Sequence, residues 1–502
     1  MARDQAGNWT ARLLFNRLVE LGPDQNPVPS LAHRWEILNG GLVYRFYLRD
    51  SVYFHRDPCF GPSGTRALRS DDVIHSLERL QDPSTASPGA WIFRDKLAPG
   101  GGFKKVDALT LEIHLRQPFP PLLGLLSMGY CSVVAPEATA LYGRDLRSHP
   151  VGTGPFALQT WLEGEGCVLR RHPFYFEFDT SGRRLPYLTA VQIHQWTDKS
   201  TAAMAFMQGK IDLLWGWEPA FQRRFFDEQL RLRSEFSQKF QIVRGPYFNT
   251  EYLGFLLDST ASGCNKALLN PLVRQALHHA TDRVTLVRSL RRGLGYPGHG
   301  GLLPPGLPGF DSSALDLPGS NPYQPAKALE LLRLAGYNRS HPLRLVLETN
   351  PSYADIAQYL QSLWAPLGVQ LEIRLSQGPA LRQMLSGQEA SFFRASWIAD
   401  YADAENYLAL AYGPNRVPNG PNYTCYQDPI FDEAYQRSLL TTNEKERVAL
   451  YRQMDLRIQQ NHPFLVLYYD MMLQLLGNDW QGWQVSPLNI PDFRYLRRAP
   501  TR

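Results

Sequence analysis

Residues 150–156 read Pro150-Val151-Gly152-Thr153-Gly154-Pro155-Phe156, and this stretch marks a change in the organisation of the chain. Two glycines enclosed by two prolines are typical of a rigid double turn, because glycine permits unusual backbone angles and proline fixes its own. The stretch also fits a loose G-x-G-x-x-A pattern, but Pro155 prevents a helix from following directly and no acidic residue stands in the expected βαβ context. We therefore expect a domain boundary near residue 150 and disfavour a dinucleotide site.

Strand and helix patterns alternate on both sides of this turn. Upstream, a helix is predicted over Trp9 to Leu21, a hairpin over 35–48 around an Asn-Gly-Gly turn, and a helix beginning at Ser70. Downstream, the patterns predict a helix over 271–290, a Gly/Pro loop over 293–325, a helix over 325–335 and a strand, helix and strand over 343–348, 353–367 and 369–375. Such a succession is typical of a mixed α/β protein.

Composition excludes several classes of protein. The chain has 502 residues, 44% of them hydrophobic and 20% charged, which suits two to four folded domains and excludes intrinsic disorder. A net charge of +5, spread along the chain, gives no support to nucleic-acid binding. The longest apolar run, Phe464 to Tyr469, is far short of the roughly 18 residues of a membrane helix and predicts a buried strand.

Motifs for metal binding and catalysis are missing from the sequence. No C-x-x-C, H-E-x-x-H, G-x-S-x-G or phosphate-binding loop occurs, so we expect no metal, no cofactor and no catalytic residue. For the five cysteines we expect one or two disulfides and a spare thiol, with the pairing of Cys59, Cys131, Cys167, Cys264 and Cys425 left open.

A second stretch, Trp397-Ile398-Ala399-Asp400-Tyr401-Ala402-Asp403, combines aromatic and acidic residues directly after an apolar pair. Arg394, Ser396 and Ile398 alternate with their neighbours, as in a strand, and the end of that strand would deliver Asp400 to a loop. Loops at strand ends often carry function. The same residues also fit an ordinary Asp N-cap beside a buried tryptophan, and both interpretations stay open at this point.

Several segments together resemble one family, the extracytoplasmic solute-binding proteins of ABC importers called family 5, which take oligopeptides, dipeptides, nickel complexes and some sugars. The resemblance runs in order through nearly the whole chain, over 30–36, 42–46, 52–55, 66–73, 151–156, 209–212, 271–277, 280–283 and 331–337. The double turn at 151–156 is similar to the family's most recognisable short motif. Each segment alone is a weak signal, and the ordered set is a strong one.

The resemblance implies an α/β fold of the periplasmic-binding-protein type, with two discontinuous lobes and an additional inserted α+β domain. Transferred to this sequence, the first lobe takes residues 1–31, 151–245 and 475–502. The inserted domain is 32–150, and the second lobe is 246–474. The family's usual leading strand is missing, and Met1-Ala2-Arg3-Asp4 carry no export region, so we expect that Met1 truncates a secreted or lipoprotein precursor.

The resemblance also implies roles for residues around Trp397. In peptide-binding members, a Trp-x-Ala-Asp-Tyr motif supplies an aspartate for the peptide's α-amino group, and an arginine three residues before the tryptophan meets its carboxylate. Asp400 and Arg394 match these positions, and Trp397 matches an aromatic that lines the pocket. Tyr401 is expected to form a further wall, and Ser396 completes the candidate ligand-binding set.

We therefore expect a receptor, not an enzyme, that closes by hinge motion around a short peptide and delivers it to ABC transporter permease subunits in the membrane. It should act in the periplasm or at the cell surface, as a monomer, without nucleic acid. Two alternatives stay open. One is a receptor for a nickel chelate, haem or an oligosaccharide, and the other is a peptidase that uses Asp400 and Asp403 as an acid and base pair.

Overall fold

The computed structural model describes residues 5–196, 198–216, 219–227, 229–311 and 323–500. The strands are β1 (Val19–Leu21), β2 (Pro27–Pro29), β3 (Ala32–Leu38), β4 (Val43–Leu48), β5 (Phe103–Lys105), β6 (Thr110–His114), β7 (Phe156–Leu162), β8 (Gly166–Arg171), β9 (Ala190–His194), β10 (Leu213–Trp215), β11 (Phe240–Phe255), β12 (Tyr296–Pro297), β13 (Leu343–Thr349), β14 (Val369–Leu375), β15 (Phe392–Ile398), β16 (Phe464–Gly477), β17 (Trp480–Gln481) and β18 (Arg497–Arg498).

The helices alternate with these strands. They are α1 (Gln5–Leu14), α2 (Ser70–Gln81), α3 (Leu122–Leu126), α4 (Pro136–Tyr142), α5 (Lys199–Met207), α6 (Pro219–Phe225), α7 (Ser234–Ser237), α8 (Lys266–Leu269), α9 (Pro271–His279), α10 (Arg283–Thr285), α11 (Pro325–Leu334), α12 (Ala354–Trp364), α13 (Gly378–Ser386), α14 (Glu405–Leu408), α15 (Pro429–Leu440) and α16 (Glu444–Asn461). A π-helical turn over Leu286–Leu290 follows α10.

Chain contacts divide the described residues into two units. The first unit comprises described residues within 1–227, 231–245 and 473–502, and the second comprises those within 228–230 and 246–472. The long strands β11 and β16 each contribute residues to both units. The lobes and the inserted domain expected from the resemblance stay a prediction.

The first unit contains small antiparallel sheets. One has the order β3-β4-β6-β5 and another the order β7-β8-β9, and β10 pairs with the last residues of β16. The predicted hairpin over 35–48 is confirmed as β3 and β4 around the Asn39–Gly41 turn. Leu13 and Leu14 of α1 pack with Phe156 and Leu169 in a buried cluster that fixes the double turn against the first helix.

The second unit is built on a larger mixed sheet. Its strands follow the order β16-β11-β15-β13-β14, with β12 also paired to β16. Strand β13 is parallel to both β14 and β15, whereas β11 is antiparallel to β15. Helices α9, α11 and α12 cover an apolar core in which Trp364, Leu345 and Phe392 are buried. The predicted strand, helix and strand over 343–375 is confirmed, and so is the buried strand at Phe464.

Two predicted helices are wrong in extent. The helix expected to reach Leu21 ends at Leu14, because the N–H of Gly154 donates to the Leu14 carbonyl (3.0 Å), and residues 19–21 pair with β2 instead. The helix expected over 271–290 ends at His279, because Asp282 caps a new turn and the buried Arg283 donates to the carbonyls of His278 and Thr281. Of the predicted loop over 293–325, residues 312–322 lie outside the described residues, as do Met1 to Asp4.

The expectation of disulfides is also wrong. All five cysteines lie among the described residues, and all five are free thiols. Cys131 and Cys425 are buried in different units, where burial raises the pKa of each thiol. These side chains therefore serve as small apolar groups in the interior.

Candidate functional site

Strand β15 lies in the middle of the sheet of the second unit and carries the predicted site residues. Its register with β11 places Ser396 opposite Glu251 and Trp397 opposite Thr250. Because side chains alternate along a strand, Arg394, Ser396 and Glu251 share one face, and Trp397 belongs to the other. The strand ends at Ile398, so the following residues lead from the sheet edge into the short helix α14.

Asp400 lies directly beyond this strand end, as predicted. Its side chain is exposed, and within the described part of the chain it forms no ion pair with a lysine, arginine or histidine. Crowding by surrounding atoms raises the pKa of Asp400 by desolvation, and a hydrogen bond from the Asn406 side chain acts against that rise. Among the residues that the structure describes, Asp400 is thus an exposed carboxylate without a cationic partner at the end of β15.

Asn406 fixes the geometry of this strand end, and sequence analysis did not identify it. Its Oδ1 accepts the indole N–H of Trp397 (2.8 Å) and the backbone N–H of Asp400 (3.2 Å). The Asn406 side chain is buried, and it holds the tryptophan and the aspartate in one arrangement. The only signal in the sequence is an asparagine shortly after the motif, where a residue of this type also suits an ordinary helix start.

Arg394 has a partner that sequence analysis also missed. Its Nε and Nη2 both donate to the carboxylate of Glu251, with 2.6 Å between Nη2 and Oε2. The guanidinium lies 3.4 Å from the ring centroid of Tyr353, and the Arg394 side chain is only 11% exposed. Glu251 is the single acidic residue of β11, and this was the signal available for the pair.

Burial and charge act in opposite directions on this pair. Burial raises the pKa of Glu251 to about 7, although the charge of Arg394 favours the ionised carboxylate. Burial lowers the pKa of Arg394, but the charge and hydrogen bonds of Glu251 outweigh it, so the net pKa is raised. The adjacent acid Asp470 is bonded to Arg291 (3.2 Å) and Asn249 (3.0 Å).

Tyr401 and Asp403 lie in the interior. Tyr401 is 3% exposed, and its hydroxyl donates to Glu405, which also accepts the hydroxyl of Tyr435. Asp403 accepts the hydroxyl of Tyr451 (2.7 Å) and pairs with Arg447 (3.2 Å). The structure thus brings Arg394, Ser396, Trp397 and Asp400 to one strand and its end, whereas Tyr401 is an internal support.

Asp403 does not fit the acid and base pair of the peptidase interpretation. A general base has to be free to take a proton from the reacting group, but a hydroxyl and a guanidinium already occupy the Asp403 carboxylate.

Among the described residues, no group of three or more His, Cys, Asp or Glu side chains is arranged to hold a metal ion. Nor does any helix in the described ranges have the length and apolar character to cross a membrane.

Comparison with known proteins gives the same family as the motifs. Residues 26–419 match the model of the bacterial extracellular solute-binding proteins, family 5 Middle. Di/tripeptide-binding protein 2 of Pseudomonas aeruginosa is 27% identical over 510 residues, which cover 97% of this chain and 90% of that protein. Heme-binding protein A of Haemophilus influenzae is 26% identical over 505 residues, covering 97% and 87%.

A solved structure confirms the predicted α/β fold class. HbpA2 from Haemophilus parasuis matches with a TM-score of 0.83 at 24% identity, and the match covers 99% of this chain and 96% of that chain. The likeness extends over almost the entire length of both chains, so it includes the segments on both sides of the double turn at 150–156.

Proposed function

The chain belongs to family 5 of the bacterial extracellular solute-binding proteins, and on that basis we propose that it captures a short peptide by its amino end. The observation that carries the proposal is Asp400, an exposed carboxylate at a strand end whose described surroundings supply no cation. A protonated α-amino group supplies the missing charge. The Pseudomonas relative, which by its name binds di- and tripeptides, supports this choice of ligand.

In this proposal Asp400 accepts hydrogen bonds from the ammonium group, and the half-buried Trp397 lies beside the first residues of the peptide. Asn406 keeps both side chains in place through its two accepted hydrogen bonds. The protein closes around the ligand outside the cytoplasm, as a monomer that an export signal or lipid anchor has delivered there. It then passes the peptide to the permease of an ABC importer, and no chemical step is required.

A haem receptor is the second candidate. It is favoured by the Haemophilus influenzae relative, which by its name binds haem and is almost as similar as the peptide receptor. Titration calorimetry with peptides of two to five residues, haem, nickel–histidine and maltotriose separates the candidates. We expect heat of binding only with peptides, and binding of haem alone would replace the peptide proposal by the haem one.

The role of Asp400 is tested with the same peptides in free and N-acetylated form. Acetylation removes the positive charge, so we expect it to weaken binding to the unmodified protein by an amount of order 2–5 kcal/mol. Asp400→Asn should lose affinity for the free peptides and no longer distinguish the two forms. Glu433→Gln, a change at an exposed carboxylate in the same unit, is the matched control and should bind normally. Equal affinity for free and acetylated peptides would contradict the role of Asp400.

A further inference from the structure

Glu251 already occupies the Nε–Nη2 edge of the Arg394 guanidinium and balances its charge. Arginine binds a carboxylate best through two parallel N–H groups, and Arg394 already directs Nε and Nη2 at Glu251. The ring of Tyr353 covers one face of the guanidinium. A peptide carboxylate that used this arginine in the same way would have to displace Glu251.

Glu251 cannot be displaced cheaply. It lies in the interior of β11, directly opposite Ser396, and its side chain is fully buried. Without Arg394 its carboxylate would stay in the interior as a charge with no partner, which is strongly destabilising. Arg291, the other guanidinium whose charge acts on Glu251, is bonded to Asp470.

We propose that Glu251 determines ligand specificity by occupying Arg394, so that the receptor binds peptides without recognising a free C-terminal carboxylate at this position. The inference rests on the proposed function and names its substrate class: peptides held by the amino end, with the carboxyl end free, amidated or placed further along a longer chain. It also replaces the expectation, taken from the resemblance, that Arg394 pairs with the ligand's carboxylate.

Acidification should allow the unmodified protein to recognise a free C-terminal carboxylate through Arg394. The charged and titratable groups around Glu251 are Arg394, Arg291, Asp470, Tyr252, Tyr353 and Tyr468. Because burial raises the pKa of Glu251 to about 7, the carboxylate takes up a proton as the pH falls through that value and its charge no longer competes for Arg394. A preference for free-acid peptides should then appear at pH 6 and be absent at pH 8.

The experiment measures the affinity of alanine peptides of two to five residues, each as the free acid, the C-terminal amide and the N-acetylated acid. The series of lengths is needed because each residue moves the carboxylate by about 3.3–3.6 Å in an extended peptide. Calorimetry at pH 8 compares the unmodified protein with Glu251→Gln. Glu348→Gln is the matched control, since it makes the same chemical change at a buried glutamate of the neighbouring strand β13, whose described ion pair is with Arg374 and not with Arg394.

We expect acid and amide to bind the unmodified protein within about threefold of each other at every length, and Glu251→Gln to favour the acid by about tenfold or more at one length. The control should behave as the unmodified protein does. A tenfold preference for the acid in the unmodified protein at pH 8 would overturn the proposal, as would a folded Glu251→Gln with no such preference. If Glu251→Gln does not fold, the affinities of the unmodified protein for acid and amide peptides at pH 6 and pH 8 test the proposal instead. An equal preference at both pH values would then overturn it. The N-acetylated peptides separately test whether Asp400 binds the amino end. Equal affinity for free and acetylated peptides would contradict the proposed function and not the role of Glu251.

Discussion

The acidic residues around the end of β15 differ in what neutralises them. Glu251 is paired with Arg394 and Asp403 with Arg447, so these two sites are internally balanced. Asp400 is exposed, and its neighbour is the amide of Asn406 and not a cationic side chain of the described residues. A cationic group is therefore attracted to one point of this strand end, which agrees with recognition of an ammonium group.

Asn406 gives the first prediction at this scale. Asn406→Ala removes the acceptor of the Trp397 indole N–H and of the Asp400 backbone N–H, and both donors are partly buried. We expect a loss of stability of about 1–3 kcal/mol together with weaker peptide binding, because Asp400 loses its fixed position. Chemical denaturation and calorimetry measure the two effects.

Asn419→Ala serves as the control for Asn406, since Asn419 is an exposed asparagine of the same unit. It should change neither stability nor affinity. Normal peptide affinity in a folded Asn406→Ala protein would show that Asn406 does not position the site.

At the scale of elements, the double turn at 152–154 is held by close packing against α1. A Cβ on Gly152 would lie 2.1 Å from the carbonyl oxygen of Leu14, and one on Gly154 would lie 2.4 Å from the Leu14 carbonyl carbon. Both are distances to backbone atoms, which cannot move aside as a flexible side chain would. The glycines are thus required by the approach of two backbone segments.

We accordingly expect Gly154→Val to destabilise the protein by about 1–3 kcal/mol, because the side chain overpacks against Leu14 and displaces the backbone N–H that bonds the Leu14 carbonyl. Gly129→Ala is the control, because a Cβ there would meet only the Asn8 side chain, at 3.7 Å. Thermal unfolding measures both variants. A Gly154→Val protein with full thermal stability and a selective loss of peptide binding would instead place the turn in the ligand site.

Sequence patterns predicted the elements that local order determines. The hairpin of β3 and β4 has its turn residues in place, and the unit β13-α12-β14 has clear periodicity, so both were predicted correctly. The end of α1 was not, because the contact with Gly154 that stops this helix comes from a distant segment and is invisible to local patterns. The end of α9 was missed although the capping residue Asp282 is a local signal, and only the bond from Arg283 to the Val466 carbonyl is distant in sequence.

The candidate site shows the same division between local and distant information. Asp400 was predicted at a strand end because alternation along β15 is local. The partner of Arg394 was not, since Glu251 precedes it by 143 residues and only the pairing of β11 with β15 brings them together. Burial of Tyr401 likewise depends on Glu405 and Tyr435, which come from two separate helices.

At the scale of the whole molecule, each unit contains a pair of neighbouring histidines, buried in the first unit and half-buried in the second. In the first unit the rings of His55 and His172 are 5.0 Å apart, and their ring nitrogens bond the carbonyls of Gly154 and Tyr53. In the second unit the rings of His278 and His462 are 4.3 Å apart. Burial lowers the pKa of His55 to about 3 and that of His172 and of His462 to about 4, and it lowers the pKa of His278 well below its usual value.

These pairs predict that the protein loses stability on mild acidification. A histidine whose pKa is lower in the folded state stabilises the fold above its unfolded pKa of 6.5, and this contribution is lost as the pH falls towards the folded value. For His172 the difference between 6.5 and about 4 corresponds to about 3 kcal/mol. The melting temperature, measured from pH 8 to pH 4, should therefore decrease once the pH is below about 6.5.

His172→Gln is the variant that tests this prediction. It keeps a donor for the Tyr53 carbonyl but cannot be protonated, so its melting temperature should decrease less steeply over the same pH range. The exposed His33, replaced by glutamine in the same way, should leave the profile unchanged. A His172→Gln profile as steep as that of the unmodified protein would show that acid acts on groups other than His172.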